Sequence, residues 1–276
     1  MRIVVCVKEV LDPDAIGNYA LSGGLVIGDD GVSITLSTVP RLMNGYDEQA
    51  IEAALRLREA GVDATIGVVS VGTELTTMLR HAKALGADEV TAIEPPPGSL
   101  DGAAVAALLA AHVRASGGAD LVLCGRQASD DDQGVVPALL GEALGAPVVT
   151  VARSIETAGG AGGEAAAVRV ARVTPEGDEV VEVALPAVVT VSSELGEPRY
   201  PTMPMKMAAR KVQPTVVTAA DLGLDEATLA PRVAAVRQEV REVTGDCEII
   251  EGADATEVAE RLLARLIDDH VLQVGS

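Results

Sequence analysis

The feature that most restricts the fold of this chain is a regular alternation of short apolar strands with helical segments. Residues 2–7 are β-branched and apolar without a polar face, which is typical of a strand buried on both sides of a parallel sheet. Further strands are expected at residues 64–71, 89–93, 120–124 and 148–151, and helices at residues 47–60, 73–85, 100–115 and 133–144. Strands that alternate with helices in this way form βαβ units. The sequence therefore predicts an α/β fold with a doubly wound, mainly parallel sheet of the Rossmann-like, adenine-nucleotide-binding kind.

The pattern changes after this series. Residues 167–173 and 180–185 read as two strands around a turn that contains Pro175 and Gly177, which predicts an added β-hairpin within residues 165–191. Earlier in the chain, residues 8–40 are rich in turn residues and are expected to form a small hairpin excursion.

Two regions follow from this organisation. Residues 1–191 are expected to form the α/β nucleotide-binding domain, including the hairpin. Residues 192–276 are expected to form an extended docking loop and a C-terminal arm with a terminal helix.

The charge balance restricts the partners. The chain has 21 basic and 41 acidic residues, a formal net charge of −20, so its surface should repel phosphate backbones and anionic lipid. The longest apolar run, residues 103–111, is about half a membrane-spanning helix. We therefore expect neither nucleic-acid binding nor membrane insertion, and no export segment is visible near the start. Three widely separated cysteines argue against a disulfide framework or a metal site and favour a reducing cytoplasm.

The side chains suited to redox and acid–base chemistry are few. The sequence has no Trp, no Phe, three Tyr and three His. A flavin cannot be enclosed by several aromatic rings here, and general-base or metal chemistry has few candidates. This composition argues against a redox enzyme that works alone.

Residues 125–136, called the 125–136 loop below, are the best candidate for a ligand site. In a doubly wound sheet, ligands bind beyond the carboxyl ends of the strands, and this loop leads from a buried strand into a helix. The unpaired N–H groups near Gln133 to Val136 could hold a phosphate. Asp130, Asp131 and Asp132 would repel a phosphate, so they are expected to cap the helix or to bind ribose hydroxyls. The alternative is an acidic, capped helix start in a solvated loop.

Asn44 to Asp47 form a second junction between a loop and a helix. Asn44 or Asp47 is expected to cap the helix that follows, and a plain capping turn is the alternative to a binding role. Cys6 and Cys124 stand at strand ends and are most simply explained as buried apolar residues.

Residues 192–211, called the proline-rich segment below, are basic and apolar in a very acidic chain. Three prolines and Gly196 favour an extended path, and Leu195 is an apolar residue that such a loop should not expose without a purpose. The other notable side chains of the segment are Met203, Met205, Met207, Lys206, Arg210 and Lys211. The segment could dock on a partner, or it could pack along its own domain as an irregular tail.

Several motifs together make the chain resemble the beta subunit of electron-transfer flavoproteins along nearly its whole length. They are VCVKEVLD at residues 5–12, MNGYDEQAIEAALRLRE at 43–59, GADEV at 86–90, LVLCGRQASDDD at 121–132, and ELGEPRYPTMPMKMAARK at 194–211. The resemblance implies an electron carrier subunit rather than an enzyme. In such a heterodimer the alpha subunit holds most of an FAD, and the beta subunit binds AMP. The pair takes electrons from flavin-dependent dehydrogenases and passes them to the respiratory chain.

The same resemblance assigns residues to the nucleotide and to docking. The residues implied around the nucleotide are Cys6, Asn44, Gly45, Tyr46, Asp47, Val71, Gly125, Arg126, Gln127, Ala128, Ser129, Asp130, Asp131, Asp132, Gln133, Gly134, Val135 and Val136. The residues implied in partner docking are Leu195, Glu197, Pro198, Arg199, Tyr200 and Lys206, with Leu195 as the anchor. No catalytic or metal-binding residue is implied.

Three functions stay open from the sequence. The first is an electron-transfer subunit with a structural AMP. The second is an electron-bifurcating relative, with a second FAD in place of AMP. The third is a stand-alone nucleotide-binding regulator, which leaves the proline-rich segment unexplained. At Gly134, Val135 and Val136 the polar side chains common in the family are missing, so only backbone donors could hold a phosphate there.

Overall fold

A computed structural model describes residues 1–16, 26–33, 39–98, 100–159, 166–240 and 247–272. The strands are β1 Arg2–Cys6, β2 Glu9–Leu11, β3 Arg41–Met43, β4 Thr65–Val71, β5 Glu89–Glu94, β6 Leu121–Gly125, β7 Val148–Ala158, β8 Ala167–Thr174, β9 Gly177–Ala184, β10 Ala187–Val191 and β11 Thr215–Thr218. The helices are α1 Gly45–Glu59, α2 Thr76–Leu85, α3 Gly102–Ala115, α4 Val136–Leu144, α5 Met203–Ala209 and α6 Ala255–Asp268.

Nine strands form one sheet in the order β11-β5-β4-β1-β6-β10-β7-β8-β9. All pairings from β11 to β7 are parallel, and β8 and β9 continue the sheet antiparallel. The predicted α/β architecture, with a mainly parallel sheet, is confirmed.

The core has two layers because successive residues of a strand point to opposite faces. Ile3 and Val5 of β1 pack with α1 and α2 on one face. Val4 and Cys6 of the same strand pack with α3 and α4 on the other face. Helices therefore cover both sides of the sheet, as expected for a doubly wound fold.

The predicted hairpin is present, but the region assigned to it ends earlier than expected. β8 and β9 pair as an antiparallel hairpin, but residues 187–191, which the sequence interpretation placed in the hairpin region, form the central parallel strand β10. All five residues of β10 are buried, so they could not belong to a half-exposed hairpin. The strand expected at residues 148–151 is also longer, because β7 continues to Ala158 and pairs with β8. Residue 165 lies outside the described residues.

The chain divides into two units, Met1–Glu239 and Val240–Ser276. This division differs from the expected boundary after residue 191, because β11 pairs with β5 and so joins the sheet. In the second unit, Asp254 caps α6 by accepting hydrogen bonds from the N–H groups of Thr256 and Glu257.

The excursion expected within residues 8–40 contains β2, which pairs antiparallel with β3, while its residues 17–25 and 34–38 lie outside the described residues. Among the helices of the described ranges, none has the length and apolar character needed to cross a membrane.

Candidate functional site

The carboxyl ends of β1, β4 and β6 meet at one edge of the sheet, where a ligand is expected. Cys6 at the end of β1 stands opposite Val69 of β4 and opposite Cys124 of β6. Both thiols are buried, and a hydrogen bond with Cys6, together with burial, raises the pKa of the Cys124 thiol. The burial of both side chains fits the prediction that they are buried apolar residues.

Asn44 lies at the position before α1, but its side chain does not cap the helix as expected. Instead, its Nδ2 donates to the carbonyl oxygen of Gln127 at 2.8 Å, and its Oδ1 accepts from the N–H of Ser129 at 3.2 Å. The side chain is 1% exposed. Asn44 therefore holds the 125–136 loop from within the protein.

Asp47 holds the same region from the first turn of α1. Its carboxylate accepts hydrogen bonds from the N–H of Gly125 at 2.9 Å and from the N–H of Lys8 at 2.8 Å. Burial outweighs these hydrogen bonds and raises the pKa of Asp47 to about 7. The start of α1 is thus joined to the ends of two neighbouring strands by one buried carboxyl group.

Two glycines of the loop are required by close packing. A Cβ at Gly125 would collide with Asp47 Oδ1 and lie 2.7 Å from Tyr46 Cβ. Gly134 has φ +61°, and a Cβ there would lie 2.9 Å from the carbonyl oxygen of Arg126. Both sites exclude larger residues, so the backbone of the loop folds tightly against α1 and against itself.

The three aspartates of the loop are bound to side chains and backbone nearby. Lys8 Nζ lies 2.6 Å from Asp130 Oδ1 and 3.1 Å from Asp131 Oδ2. Burial lowers the pKa of Lys8, but its hydrogen bonds to both carboxylates outweigh burial and raise that pKa overall. Asp132 Oδ1 accepts from Gln127 Nε2 at 2.7 Å. Lys8 therefore offsets part of the negative charge of Asp130 and Asp131, and Asp132 is hydrogen-bonded to a neutral amide.

The expected capping by these aspartates is wrong. α4 begins at Val136 instead of Gln133, Val135 is its N-cap, and no side chain caps it. Asp131 accepts a hydrogen bond from the N–H of Gln133, upstream of the helix. Among the described residues, none accepts a hydrogen bond from the N–H groups of Gly134, Val135 or Val136, so these donors are available to an anion.

Arg126, near the start of the 125–136 loop, makes a cation–aromatic contact with Tyr46 of α1. The guanidinium carbon of Arg126 is 5.7 Å from the centre of the Tyr46 ring, within the range of a cation–π interaction. Arg126 also donates from its backbone N–H to the carbonyl oxygen of Val191. The backbone of the loop start is thus joined to the end of β10, and the Arg126 guanidinium lies over Tyr46.

The structure thus brings together many of the residues implied around the nucleotide. Asn44, Tyr46 and Asp47 contact the 125–136 loop directly, whereas Val71 lies, partly buried, at the end of β4. Sequence reasoning missed Lys8. The available signal was its position: Lys8 directly follows the first predicted strand, and the aspartates follow another strand of the same predicted parallel sheet, so both lie at one edge of that sheet. In the described part of the chain, no group of three metal-ligating side chains is assembled.

The proline-rich segment is more ordered than predicted. Residues Ser193–Leu195 form a 3₁₀ turn, and Met203–Ala209 form α5. Leu195 was expected to be exposed, but it is only 7% exposed and packs in the core beside α1. Tyr200 is 89% exposed, and Lys206 is exposed on α5. The large apolar surface of the segment is therefore provided by Tyr200 and the methionines of α5.

The similarity to known proteins includes both the 125–136 loop and the proline-rich segment. A family model described as "Electron transfer flavoprotein domain" matches residues 32–222, a range that includes the 125–136 loop and the proline-rich segment.

Three relatives match most of the chain. The electron transfer flavoprotein subunit beta of Syntrophomonas wolfei is 35% identical over 224 residues, 80% of each chain. The corresponding subunit of Mycobacterium leprae is 31% identical over 279 residues, with 96% of this chain and 99% of the relative covered. Subunit CarD of the caffeyl-CoA reductase-Etf complex of Acetobacterium woodii is 31% identical over 277 residues, 99% of this chain and 100% of the relative.

Proposed function

This chain belongs to the electron transfer flavoprotein family, among its beta subunits, and we propose that it binds AMP and pairs with an FAD-carrying alpha subunit. The heterodimer accepts electrons from flavin-dependent dehydrogenases and passes them to the respiratory chain. The proposal is supported most by one observation: Asn44 and Asp47, both buried, hold the 125–136 loop beside free N–H donors at the start of α4.

The residues around the 125–136 loop fit a nucleoside monophosphate. The N–H groups of Gly134, Val135 and Val136 point from a helix start, which favours an anion. The repulsion expected from the three aspartates is reduced, because Lys8 pairs with Asp130 and Asp131. Gly125 and Gly134 allow the loop backbone to pack closely against α1 and against itself.

FAD on the alpha subunit supplies the redox chemistry of the complex. This chain has no Trp or Phe, and burial together with a hydrogen bond with Cys6 raises the pKa of the Cys124 thiol. The residues of this chain bind the nucleotide and position the partner surface. The first turn of α1 holds the 125–136 loop, and later residues of α1 hold the proline-rich segment. The side chains of Glu197, Tyr200 and Lys206 are exposed for contact with a dehydrogenase, while Leu195 supports the turn that carries them.

A second candidate is a beta subunit of the electron-bifurcating type, with FAD in the pocket in place of AMP. It is favoured by the end-to-end match with a subunit of a caffeyl-CoA reductase-Etf complex. The two candidates differ in flavin content: one flavin per heterodimer for AMP, two for bifurcation.

Co-expression tests the proposed function. This chain should be produced alone and together with an alpha subunit encoded beside it, and each product should be purified and its visible spectrum recorded. The proposal predicts a yellow 1:1 complex that a flavin-dependent dehydrogenase reduces, and a colourless product from this chain alone. A stable monomer that binds FAD stoichiometrically, or a complex that is never reduced, overturns it.

A further inference from the structure

The backbone that precedes the exposed Tyr200 is held by side chains of a single helix, α1. Arg56 NH1 donates to the carbonyl oxygen of Leu195 at 2.7 Å. Arg56 NH2 and Gln49 Nε2 donate to the next two carbonyls, at 3.4 Å for Glu197 and 3.3 Å for Gly196. The path of residues 195–197 is therefore set by where the Arg56 guanidinium lies.

Glu52 fixes that guanidinium and a second one. Its Oε1 accepts from Arg56 Nε at 2.8 Å, and its Oε2 accepts from Arg199 Nε at 2.7 Å. The backbone N–H of Arg199 donates to the same carboxylate at 3.3 Å. Glu52 is 5% exposed. One buried carboxylate thus joins α1 to both ends of residues 195–199.

The ionised state of Glu52 is maintained by these contacts. Burial alone would raise the pKa of Glu52, but hydrogen bonds from Arg199 and Arg56 outweigh burial and lower it. A buried ion cluster of this kind adds little net stability compared with apolar packing, because desolvation opposes the charge attraction. Its distinctive effect is to hold several groups in one geometry.

We propose that Glu52 is a positioning residue for dehydrogenase docking: through Arg56 and Arg199 it holds residues 195–199 so that Tyr200 is presented in its binding orientation. The inference rests on the proposed function and names a residue that acts on the contact surface without touching the partner. Tyr200 follows Arg199 directly and is 89% exposed. A segment that is ordered before binding loses less conformational entropy when the partner arrives.

A matched pair of variants in the complete heterodimer tests this role. Glu52→Gln removes the buried charge and keeps the side-chain size. Glu59→Gln is the control, because Glu59 also contacts Arg199, at 3.0 Å from NH2, but its side chain is 62% exposed. Exposed ion pairs are worth little, so the control should behave almost as the wild type.

The first readout is trypsin cleavage after Arg199, followed by mass spectrometry. Releasing the Arg199 guanidinium should speed cleavage of the bond to Tyr200 about tenfold in Glu52→Gln, and less than about twofold in Glu59→Gln. The second readout is steady-state reduction by a flavin-dependent dehydrogenase that reduces the wild-type heterodimer. KM for the heterodimer should rise about tenfold in Glu52→Gln, with kcat and flavin content unchanged, since orientation is lost and not redox chemistry.

Two further variants keep the test decisive. Arg199→Gln should raise KM as Glu52→Gln does, and the double variant should be no worse than either single one, because both remove the same link. If Glu52→Gln fails to fold, Arg199→Gln alone decides the matter through KM. Equal cleavage and equal KM in Glu52→Gln and Glu59→Gln, or an unchanged KM in Arg199→Gln, overturn the role of Glu52. A wild-type heterodimer that no flavin dehydrogenase reduces instead overturns the proposed function, and the cleavage assay still reports on the segment.

Discussion

Asp47 Oδ1 accepts a hydrogen bond of 2.9 Å from the backbone N–H of Gly125, which joins the first turn of α1 to the end of β6. The approach depends on the missing side chain, because a Cβ at Gly125 would collide with that oxygen and with the backbone of Tyr46. Helix start and loop therefore form one unit, and a change at either residue should affect nucleotide binding.

Replacing Gly125 with alanine should separate the first turn of α1 from the end of β6. The added methyl group pushes α1 away from β6, so the Gly125→Ala heterodimer should melt at a lower temperature and bind AMP at least about tenfold more weakly. Isothermal titration of nucleotide-stripped protein measures the second effect. Gly67→Ala is the control, since a Cβ there meets nothing closer than 3.7 Å. Equal AMP affinity in both variants would contradict the close approach.

Asp47 should make stability depend on pH. Its pKa is about 7 in the folded protein, above the ordinary value of 3.8, so between these values the folded chain keeps a proton that the unfolded chain loses. Stability from this group is therefore complete below about pH 4 and declines by up to ~4 kcal/mol as the pH rises to about 7. Asp47→Asn lacks this titration. Between about pH 4 and pH 7, the Tm of the wild type should fall relative to the Tm of Asp47→Asn. A Tm difference that stays constant over this pH range would rule the effect out.

Leu195 should contribute to stability because it is buried in the core beside α1. Leu195→Ala removes three carbon atoms from a packed site, which costs about 2 to 5 kcal/mol of unfolding free energy. Thermal and urea unfolding of the heterodimer measure the loss. A variant with unchanged stability and reduced dehydrogenase coupling would instead support Leu195 as a direct anchor.

Tyr200 should show the opposite behaviour. Its side chain is almost fully exposed, so Tyr200→Ala should leave Tm and flavin content as in the wild type. Aromatic side chains often dominate binding surfaces, and a loss of about tenfold in apparent affinity for the dehydrogenase is expected. Reduction kinetics at varied heterodimer concentration report it. Unchanged kinetics would place the contact elsewhere on the chain.

The parallel sheet and its helices were predictable from the sequence because buried strands and helical spacing leave direct patterns. β10 was missed because its short run, four apolar residues and Thr190, follows a real hairpin, and its place inside the sheet depends on pairing with β6 and β7. β11 was missed for the same reason: its exposed residues give no strong apolar pattern, and only pairing with β5 defines it.

The closeness of the 125–136 loop to the start of α1 could be predicted from the fold, but the contacts that hold it could not. The carboxyl ends of parallel strands identified the 125–136 loop. Asn44 was expected to cap α1, yet its side chain donates a hydrogen bond to Gln127, 83 residues away. The sequence alone cannot show whether the side chain caps its own helix or binds a distant loop. Leu195 was expected to be an exposed anchor on an extended, proline-rich loop, but it ends a 3₁₀ turn and packs in the core. The role of Glu52 depends on Arg199, 147 residues away.

The nucleotide content of the purified heterodimer tests the central claim most directly. The complex should be denatured, and the released small molecules separated and quantified by liquid chromatography and mass spectrometry. Binding of AMP by this chain predicts one FAD and one AMP per heterodimer. Two FAD without AMP, or one FAD with no other adenine nucleotide, would contradict it.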